Sequence, residues 1–201
     1  MSHPVALRWI VRQLLGNAAG SFSVNKFHGA LKSQGIPIAK DTLHSDLGYL
    51  EDAFLVRIVS MATDSERRRM VNPRTVYPID PGLILLFDRS GKRNWGHALE
   101  TCMMLELARR GAEVGYVHTA GDYEVDFLAR YPDGKEELIQ ACVSLDDPAT
   151  CERETRALLE AARQHPRASL HLISLDIPAV FEVPRDMTVH AACDWLLQGS
   201  V

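Results

Sequence analysis

Two stretches decide how this chain is interpreted, Gly121-Asp122-Tyr123-Glu124-Val125-Asp126-Phe127-Leu128 and, further on, Leu138-Ile139-Gln140-Ala141-Cys142. The first stretch predicts a strand that places Glu124 and Asp126 on one face, because side chains in a strand alternate between its two faces. Asp133-Gly134 is a strong signal for a hairpin turn between the two stretches. The sequence therefore predicts a strand carrying an aspartate, followed by a strand carrying a glutamine and a cysteine.

This arrangement resembles the PD-(D/E)XK nucleases, in which a strand ending in an aspartate precedes a strand bearing acid-x-lysine. Here Gln140 stands for the acid and Cys142 for the lysine. Such enzymes hold Mg²⁺ through carboxylates, and their lysine stabilises the developing charge. The resemblance implies Asp126 as a metal ligand, Glu100 in the preceding helix as the second, and Gln140 as a weaker neutral one. A cysteine carries no positive charge, so we expect Glu100, Asp126 and Gln140 to be vestigial catalytic positions.

The first 80 residues predict three short helices followed by a two-stranded ribbon, which is the order of a winged helix. Ser23 is expected to cap the second helix and Asp41 the third. A segment that contains Pro73 is at best an edge strand, since proline cannot donate to a strand ladder. The predicted elements are a helix over 5–16, a second after residue 23, a third over 41–53, a strand over 54–61, a charged turn over 63–69 and the edge strand over 70–77.

Residues 81–201 predict a PD-(D/E)XK-like, restriction-endonuclease-like α/β sandwich. A junction at 78–82 separates it from the winged helix, so we expect domains over 1–80 and 81–201. The predicted elements are a helix over 95–110, strands over 113–118, 123–131 and 137–145, a helix over 149–164, strands over 170–175 and 188–191, and a helix over 191–197.

The third helix of a winged helix enters the major groove, which makes its polar residues candidates for DNA contact. Arginines at the ribbon tip would reach backbone phosphates. Asp46, Glu51 and Asp52 in the same helix count against tight binding, and a winged helix used for protein contact is the alternative. The candidate DNA-binding residues are Lys40, Thr42, His44, Ser45, Arg67, Arg68 and Arg69.

Charge, motifs and composition limit the classes of function that this chain can have. Residues 1–80 hold 10 lysines and arginines against 7 acids, and residues 81–201 hold 12 against 19, which suggests two modules with different partners. No P-loop motif is present, so the chain cannot bind ATP in the usual way. Four widely spaced cysteines favour reduced thiols, and no apolar run is long enough to span a membrane. We expect a cytoplasmic protein.

The chain also resembles the C-terminal region, of uncharacterised activity, found on many prokaryotic AAA+-type ATP-binding proteins. The matching stretches are 23–27, 42–53, Tyr77-Pro78-Ile79-Asp80-Pro81-Gly82, 96–100, Glu124-Val125-Asp126-Phe127, 138–142 and Arg153-Glu154. That region pairs a winged helix with a PD-(D/E)XK-like domain, and its acid-x-lysine motif is often eroded. The resemblance implies a DNA-related setting.

Three functions stay open at this point. The first is a nucleic-acid-binding module with an inactive nuclease-like domain that works with an AAA+-type ATPase and needs no cofactor. The second is an active Mg²⁺-dependent DNA nuclease that uses Glu100, Asp126 and Gln140, with Glu100 and Asp126 as metal ligands. The third is a protein-binding or homo-oligomerisation module without DNA binding.

Overall fold

The protein is mixed α/β in a computed structural model, which describes residues 4–88, 94–178 and 186–198. The α/β class expected from the sequence is confirmed. The chain divides into two compact units, Met1–Ser60 with Ser65–Thr101, and Met61–Asp64 with Cys102–Val201. The domain boundary expected near residue 80 stays a prediction. In the described ranges, no helix has the length and apolar character needed to cross a bilayer.

The first unit combines helices with a small antiparallel sheet in the order β1-β3-β2. Three of its helices pack on this sheet through a core that includes Ile10, Leu31, Leu43 and Val76. Ser23 caps α2, as predicted, by accepting a hydrogen bond from the Lys26 backbone N–H at 3.4 Å. The elements are α1 (Pro4–Gly16), β1 (Ser21–Phe22), α2 (Val24–Ser33), α3 (Lys40–Asp52), β2 (Val56–Met61), α4 (Glu66–Val71), β3 (Arg74–Pro78) and α5 (Gly82–Phe87).

The second unit is built on a five-stranded mixed sheet. Strands β4, β5 and β6 are antiparallel, whereas β6, β7 and β8 run parallel. Parallel neighbours need a crossover, and α7 supplies it between β6 and β7. The predicted order of elements after residue 95 is confirmed. They are α6 (Trp95–Arg109), β4 (Glu113–His118), β5 (Glu124–Arg130), β6 (Glu136–Ser144), α7 (Pro148–Ala162), β7 (Ser169–Asp176), β8 (Met187–Ala191) and α8 (Ala192–Leu197).

The hairpin between β5 and β6 confirms the predicted turn at Asp133-Gly134. Gly134 has φ +87°, a left-handed conformation that favours glycine. The Asp133 carboxylate accepts a hydrogen bond from the Lys135 backbone N–H at 2.9 Å. This turn sets a register in which Phe127 pairs with Ile139. Asp126 and Gln140 are consequently the next residues on the two strands.

The prediction for residues 63–77 is wrong in two respects. The expected charged turn contains α4, because Ser65 accepts a hydrogen bond from the Arg68 backbone N–H at 3.3 Å and starts a helical turn. The expected edge strand β3 has partners on both sides, since Thr75 pairs with both Ser21 and Val59. Pro73 precedes the strand, so its missing N–H costs the ladder nothing.

Two helices also differ from the sequence prediction. Helix α5 was not predicted and follows the expected junction. The Asp80 carboxylate accepts a hydrogen bond from the backbone N–H of Gly82, its first residue, at 2.8 Å. Helix α3 begins one residue before Asp41, with Ala39 at the N-cap and no side-chain cap. Asp41 lies in the first turn instead, where a negative charge is favourable.

The core of the second unit provides a stability test on two neighbouring leucines of α7. Leu158 is fully buried against the sheet, whereas Leu159 is 44% exposed. Leu158→Ala should lower the free energy of unfolding by about 2–5 kcal/mol, since it removes buried methyl groups and leaves a cavity. Leu159→Ala, with the same change in helix propensity, should cost about 0.5 kcal/mol or less. Urea denaturation measures both, and equal losses would contradict this packing.

Candidate functional site

The candidate site lies where the regular pairing of β5 and β6 ends. Beyond the Phe127–Ile139 pair, side chains take over the linking of the two strands. The half-buried Asp126 carboxylate accepts a hydrogen bond from the Ala141 backbone N–H at 2.8 Å. In return, the Gln140 side-chain oxygen accepts one from the Asp126 backbone N–H at 3.3 Å. Two of the predicted site residues, Asp126 and Gln140, are thus in direct contact.

The Gln140 side chain extends this contact to helix α7. Its nitrogen donates a hydrogen bond to Oε2 of Glu154 at 2.9 Å, and both side chains are buried. The other carboxylate oxygen of Glu154 pairs with the Arg153 guanidinium, whose Nε lies 3.1 Å away. One neutral carboxamide therefore joins the backbone of Asp126 to a buried glutamate, and a single arginine pairs with that glutamate from the rim.

Burial controls the protonation of this site. The pKa of Asp126 is raised to about 7, chiefly because the carboxylate is removed from water, with smaller contributions from the negative charges of Glu154 and Glu124. The hydrogen bond from Ala141 and the positive charge of Arg153 act in the opposite direction. Near neutral pH the Asp126 carboxylate is consequently close to losing its negative charge.

Cys142, which the sequence resemblance placed at the lysine position of the nuclease motif, is a neutral part of the core. Its side chain is buried, and its sulfur lies 2.9 Å from the Ser144 carbonyl, to which it donates. Burial raises the pKa of the thiol, so it stays protonated at neutral pH. Lys135 does not replace it, because its ammonium pairs with Glu137 at 2.7 Å. Glu137 and Gln140 are three residues apart on one strand and so face opposite sides of the sheet.

The residues present do not fit a divalent-cation site. Among the residues that the structure describes, no group of three histidines, cysteines or acids could hold a metal ion. Mg²⁺ prefers several oxygen ligands, whereas Gln140 turns a nitrogen towards Glu154 and an oxygen towards the Asp126 backbone. Glu100 is half-buried in the part of α6 that belongs to the first unit, and Asp126 belongs to the second. The catalytic and metal roles of Glu100, Asp126 and Gln140 stay predictions.

Glu154 was not singled out as a site residue from the sequence, although a signal for it exists. It lies three, four and seven residues before Ala157, Leu158 and Ala161, which are buried on the sheet-facing side of α7. An acid at such spacing occupies the apolar face of a helix. A buried acid needs a partner, so this position predicts a polar group on the facing sheet.

The exposed face of α3 contains most of the predicted DNA-binding residues of that helix. Lys40, His44 and Ser45 are exposed, and Thr42 is half-buried. The Ser45 hydroxyl already donates to the Asp41 carbonyl at 3.0 Å, which leaves it only acceptor capacity.

Two of the three acids that counted against DNA binding point away from this face of α3. Asp46 is buried, and the Glu51 carboxylate accepts a hydrogen bond from the Ile58 backbone N–H at 3.1 Å. Asp52 remains exposed near the end of the helix. The exposed surface of α3 is therefore less acidic than its sequence suggests.

The three predicted wing arginines lie on α4. Arg67 and Arg68 are exposed, and their guanidinium groups form no ion pair within the described residues. Arg69 pairs with Glu66 at 3.4 Å. The structure thus places all three on a helical turn between β2 and β3, rather than at the tip of a simple ribbon.

A second polar cluster occupies the opposite face of the five-stranded sheet. His171 and His190 are hydrogen bonded through ring nitrogens 3.0 Å apart. The buried Glu137 accepts from the Tyr131 hydroxyl at 2.8 Å. Burial lowers the pKa of both histidines, so they favour the neutral state. The Tyr131 contact lies within the hairpin of β5 and β6, and the histidine pair links β7 to β8. We assign these contacts a structural role.

Comparison with known proteins finds distant relatives. No family model matches the chain, and no solved structure matches it. The uncharacterized protein MJ1544 of Methanocaldococcus jannaschii is 31% identical over 159 residues, which make up 77% of this chain and 34% of that protein. A Haemophilus influenzae protein, also described as uncharacterized, is 25% identical over 192 residues, or 96% of this chain and 46% of that protein. The chain thus spans between a third and a half of the length of these curated relatives.

The raised pKa of Asp126 predicts how stability depends on pH. In the unfolded chain the pKa is near 3.9, so an aspartate with a pKa of about 7 in the folded state contributes stability below pH 4 that is lost as the pH rises to 7. Asp126→Asn removes this titration and keeps an acceptor for Ala141. The variant should therefore gain stability relative to the parent between pH 4 and 7, by about 1–4 kcal/mol.

Urea denaturation at pH 4.5, 6 and 8 measures this difference. Asp133→Asn, in the exposed hairpin turn, is the control and should show no comparable trend. A stability difference for Asp126→Asn that is the same at all three pH values would show that Asp126 is ionised throughout.

Proposed function

We propose that this chain is a nucleic-acid-binding module in which a winged helix is followed by a PD-(D/E)XK-like domain that does not cut. One observation carries this proposal: the Gln140 carboxamide fills the place between Asp126 and Glu154 and is hydrogen bonded to both residues. Hydrolysis of a phosphodiester needs an activated water and positive charge near the phosphoryl group. The described site supplies two acids and a neutral amide instead.

The position of Cys142 supports the same proposal. A protonated thiol in the core neither orients an attacking water nor stabilises a developing negative charge. Arg153 is the cation that contacts this network, and its charge is already directed at Glu154. The domain in our proposal keeps the nuclease-like fold as a scaffold and uses its acids for structure.

The surface of the first unit supports contact with nucleic acid. Helices α3 and α4 expose polar and basic side chains, and Asp46 and Glu51 are turned inward. In the proposed complex His44 faces base edges, while Lys40, Arg67 and Arg68 contact phosphates. Phosphate contacts of this kind position a protein on DNA, and base contacts provide sequence preference.

A larger ATP-driven machine is the proposed setting. The curated relatives are two to three times as long as the matched region, which leaves room in them for at least one further domain. We propose that the module targets DNA for an AAA+-type ATPase, in the same polypeptide or in a separate one, within the cytoplasm. The resemblance of Tyr77-Pro78-Ile79-Asp80-Pro81-Gly82 and Glu124-Val125-Asp126-Phe127 to the region found on such ATPases supports this setting.

The proposal predicts no cleavage of DNA. Single- and double-stranded DNA incubated with the protein and Mg²⁺ or Mn²⁺ should break no faster than in buffer, because the site lacks a lysine and has Gln140 in place of an acid. Gel electrophoresis of labelled DNA makes the measurement. Cleavage that disappears in both Asp126→Asn and Glu154→Gln, and persists in the neighbouring surface variant Glu152→Gln, would establish the nuclease alternative.

Binding should depend on salt through the arginines of α4. About three phosphate contacts give a slope of roughly −2.7 for log K against log salt concentration. The triple variant R67A/R68A/R69A should bind all duplexes more weakly and lose most of that slope, whereas His44→Ala should change sequence preference more than affinity. Electrophoretic mobility shifts at several salt concentrations give both quantities.

The charge-matched control for this experiment is R156A/R163A/R167A, which removes three exposed arginines from the second unit. It should leave the slope within error of the parent. If the α4 triple variant binds as the parent does, the arginines of α4 are solvated charges and the proposed interface is wrong.

A further inference from the structure

Helix α4 presents two adjacent apolar side chains to solvent. Met70 is 74% exposed and Val71 is 68% exposed, and none of the six residues of the helix is buried. The helix therefore adds nothing to the core of its unit. It is held by its caps, in which the Asn72 side-chain nitrogen donates to the Arg68 carbonyl at 2.7 Å and Ser65 accepts from the Arg68 N–H.

The surroundings of this apolar pair are basic and polar. Arg67 and Arg68 precede Met70 and Val71 by three residues, so each arginine lies one helical turn before an apolar side chain on the same side. Neither guanidinium forms an ion pair in the part of the chain that the structure describes. The positive charges of Arg67 and Arg68 lie beside the exposed side chains of Met70 and Val71. Such a surface complements a negatively charged polymer that presents apolar surface between its charged groups.

A cleft connects this tip to the predicted recognition helix. It is lined by Asn25, His44, Met70, Val71 and Arg74, together with neighbouring residues of β1, α2 and α4. Because His44 is the exposed donor of α3 proposed to face base edges, a duplex that contacts His44 also passes beside Met70 and Val71. The apolar pair and the proposed base-reading residue thus share one surface of the first unit.

We propose that Met70 and Val71 form an apolar wedge that bends duplex DNA. The wedge enters the minor groove next to the major groove in which α3 lies. Methionine and other apolar side chains that enter between base steps unstack them and kink the duplex, and arginines beside a narrow minor groove are attracted by its negative potential. Arg67 and Arg68 hold the flanking phosphates while the two apolar side chains partly separate one step. This wedge rests on the proposed DNA-binding function and adds DNA deformation to it.

A bending experiment tests the wedge separately from binding. A duplex labelled at its two ends for energy transfer should show increased transfer when the protein binds. The double variant M70A/V71A should bind the same duplex with an unchanged salt slope, since it removes no charge, but should lose at least half of the change in transfer. The matched control is L85A/L86A on α5, whose side chains are 72% and 77% exposed in the same unit and lie outside the cleft.

A duplex with a two-nucleotide bulge gives a second readout, because the bases at the bulge are already partly unstacked and less free energy is needed to separate them. The parent protein should prefer it to an intact duplex by about tenfold, which corresponds to about 1.4 kcal/mol of the unstacking cost. M70A/V71A should lose this preference, and L85A/L86A should keep it.

The outcomes separate the wedge from the function on which it rests. Equal bending by the parent and by M70A/V71A overturns the wedge and leaves DNA binding intact. Equal loss of bending in M70A/V71A and in L85A/L86A also overturns it, because the effect is then not specific to α4. A parent protein that binds no duplex overturns both proposals. An oligomer, seen by light scattering, that M70A/V71A dissociates shows that a second copy covers the pair, which again overturns the wedge.

Discussion

The packing of the second unit depends on the hydrogen bond and the ion pair that one buried glutamate forms. Glu154 lies on the sheet-facing side of α7, and a buried charge without a partner would cost several kcal/mol. The Gln140 nitrogen on β6 and the Arg153 guanidinium provide the partners. Because the same carboxamide also accepts from the Asp126 backbone, one side chain links β5, β6 and α7. The packing of the crossover helix and the end of the hairpin ladder are therefore coupled at this residue.

This arrangement has a chemical consequence for the resemblance to nucleases. A metal-dependent nuclease needs carboxylates that stay ionised and open to a cation, whereas here burial and mutual repulsion raise the pKa of Asp126 to about 7. The hydrogen-bonding capacity that a cation would use is largely occupied by protein donors. Replacement of Cys142 by lysine would still leave the amide of Gln140 between the two acids.

The first unit uses its polar groups differently. Asp46 and Glu51 of α3 are turned towards the protein, and α4 holds arginines and apolar side chains in solvent without contributing to the core. Exposed apolar side chains next to arginines that form no ion pair among the described residues are typical of a surface that a partner covers. The two units thus differ, since the second holds a buried charged network on its sheet, whereas α4 of the first exposes its arginines and apolar side chains.

The sequence by itself determined the α/β class, the order of elements after residue 95, the capped start of α2 and the turn at Asp133-Gly134, because periodicity, caps and turn residues act over a few neighbours. The resemblance to the nuclease motif also placed Asp126 and Gln140 at one site, and the short hairpin explains why they are neighbours, since its turn sets the register of its own strands. Only the tertiary structure decided that β3 is paired on both sides, that Glu154 closes the network and that Asp46 faces inward. The pairing of β3, the network of Glu154 and the burial of Asp46 depend on contacts between segments distant in sequence, and burial and pKa values follow from such contacts. Helix α4 is different, because its caps Ser65 and Asn72 are local and its charged sequence concealed them.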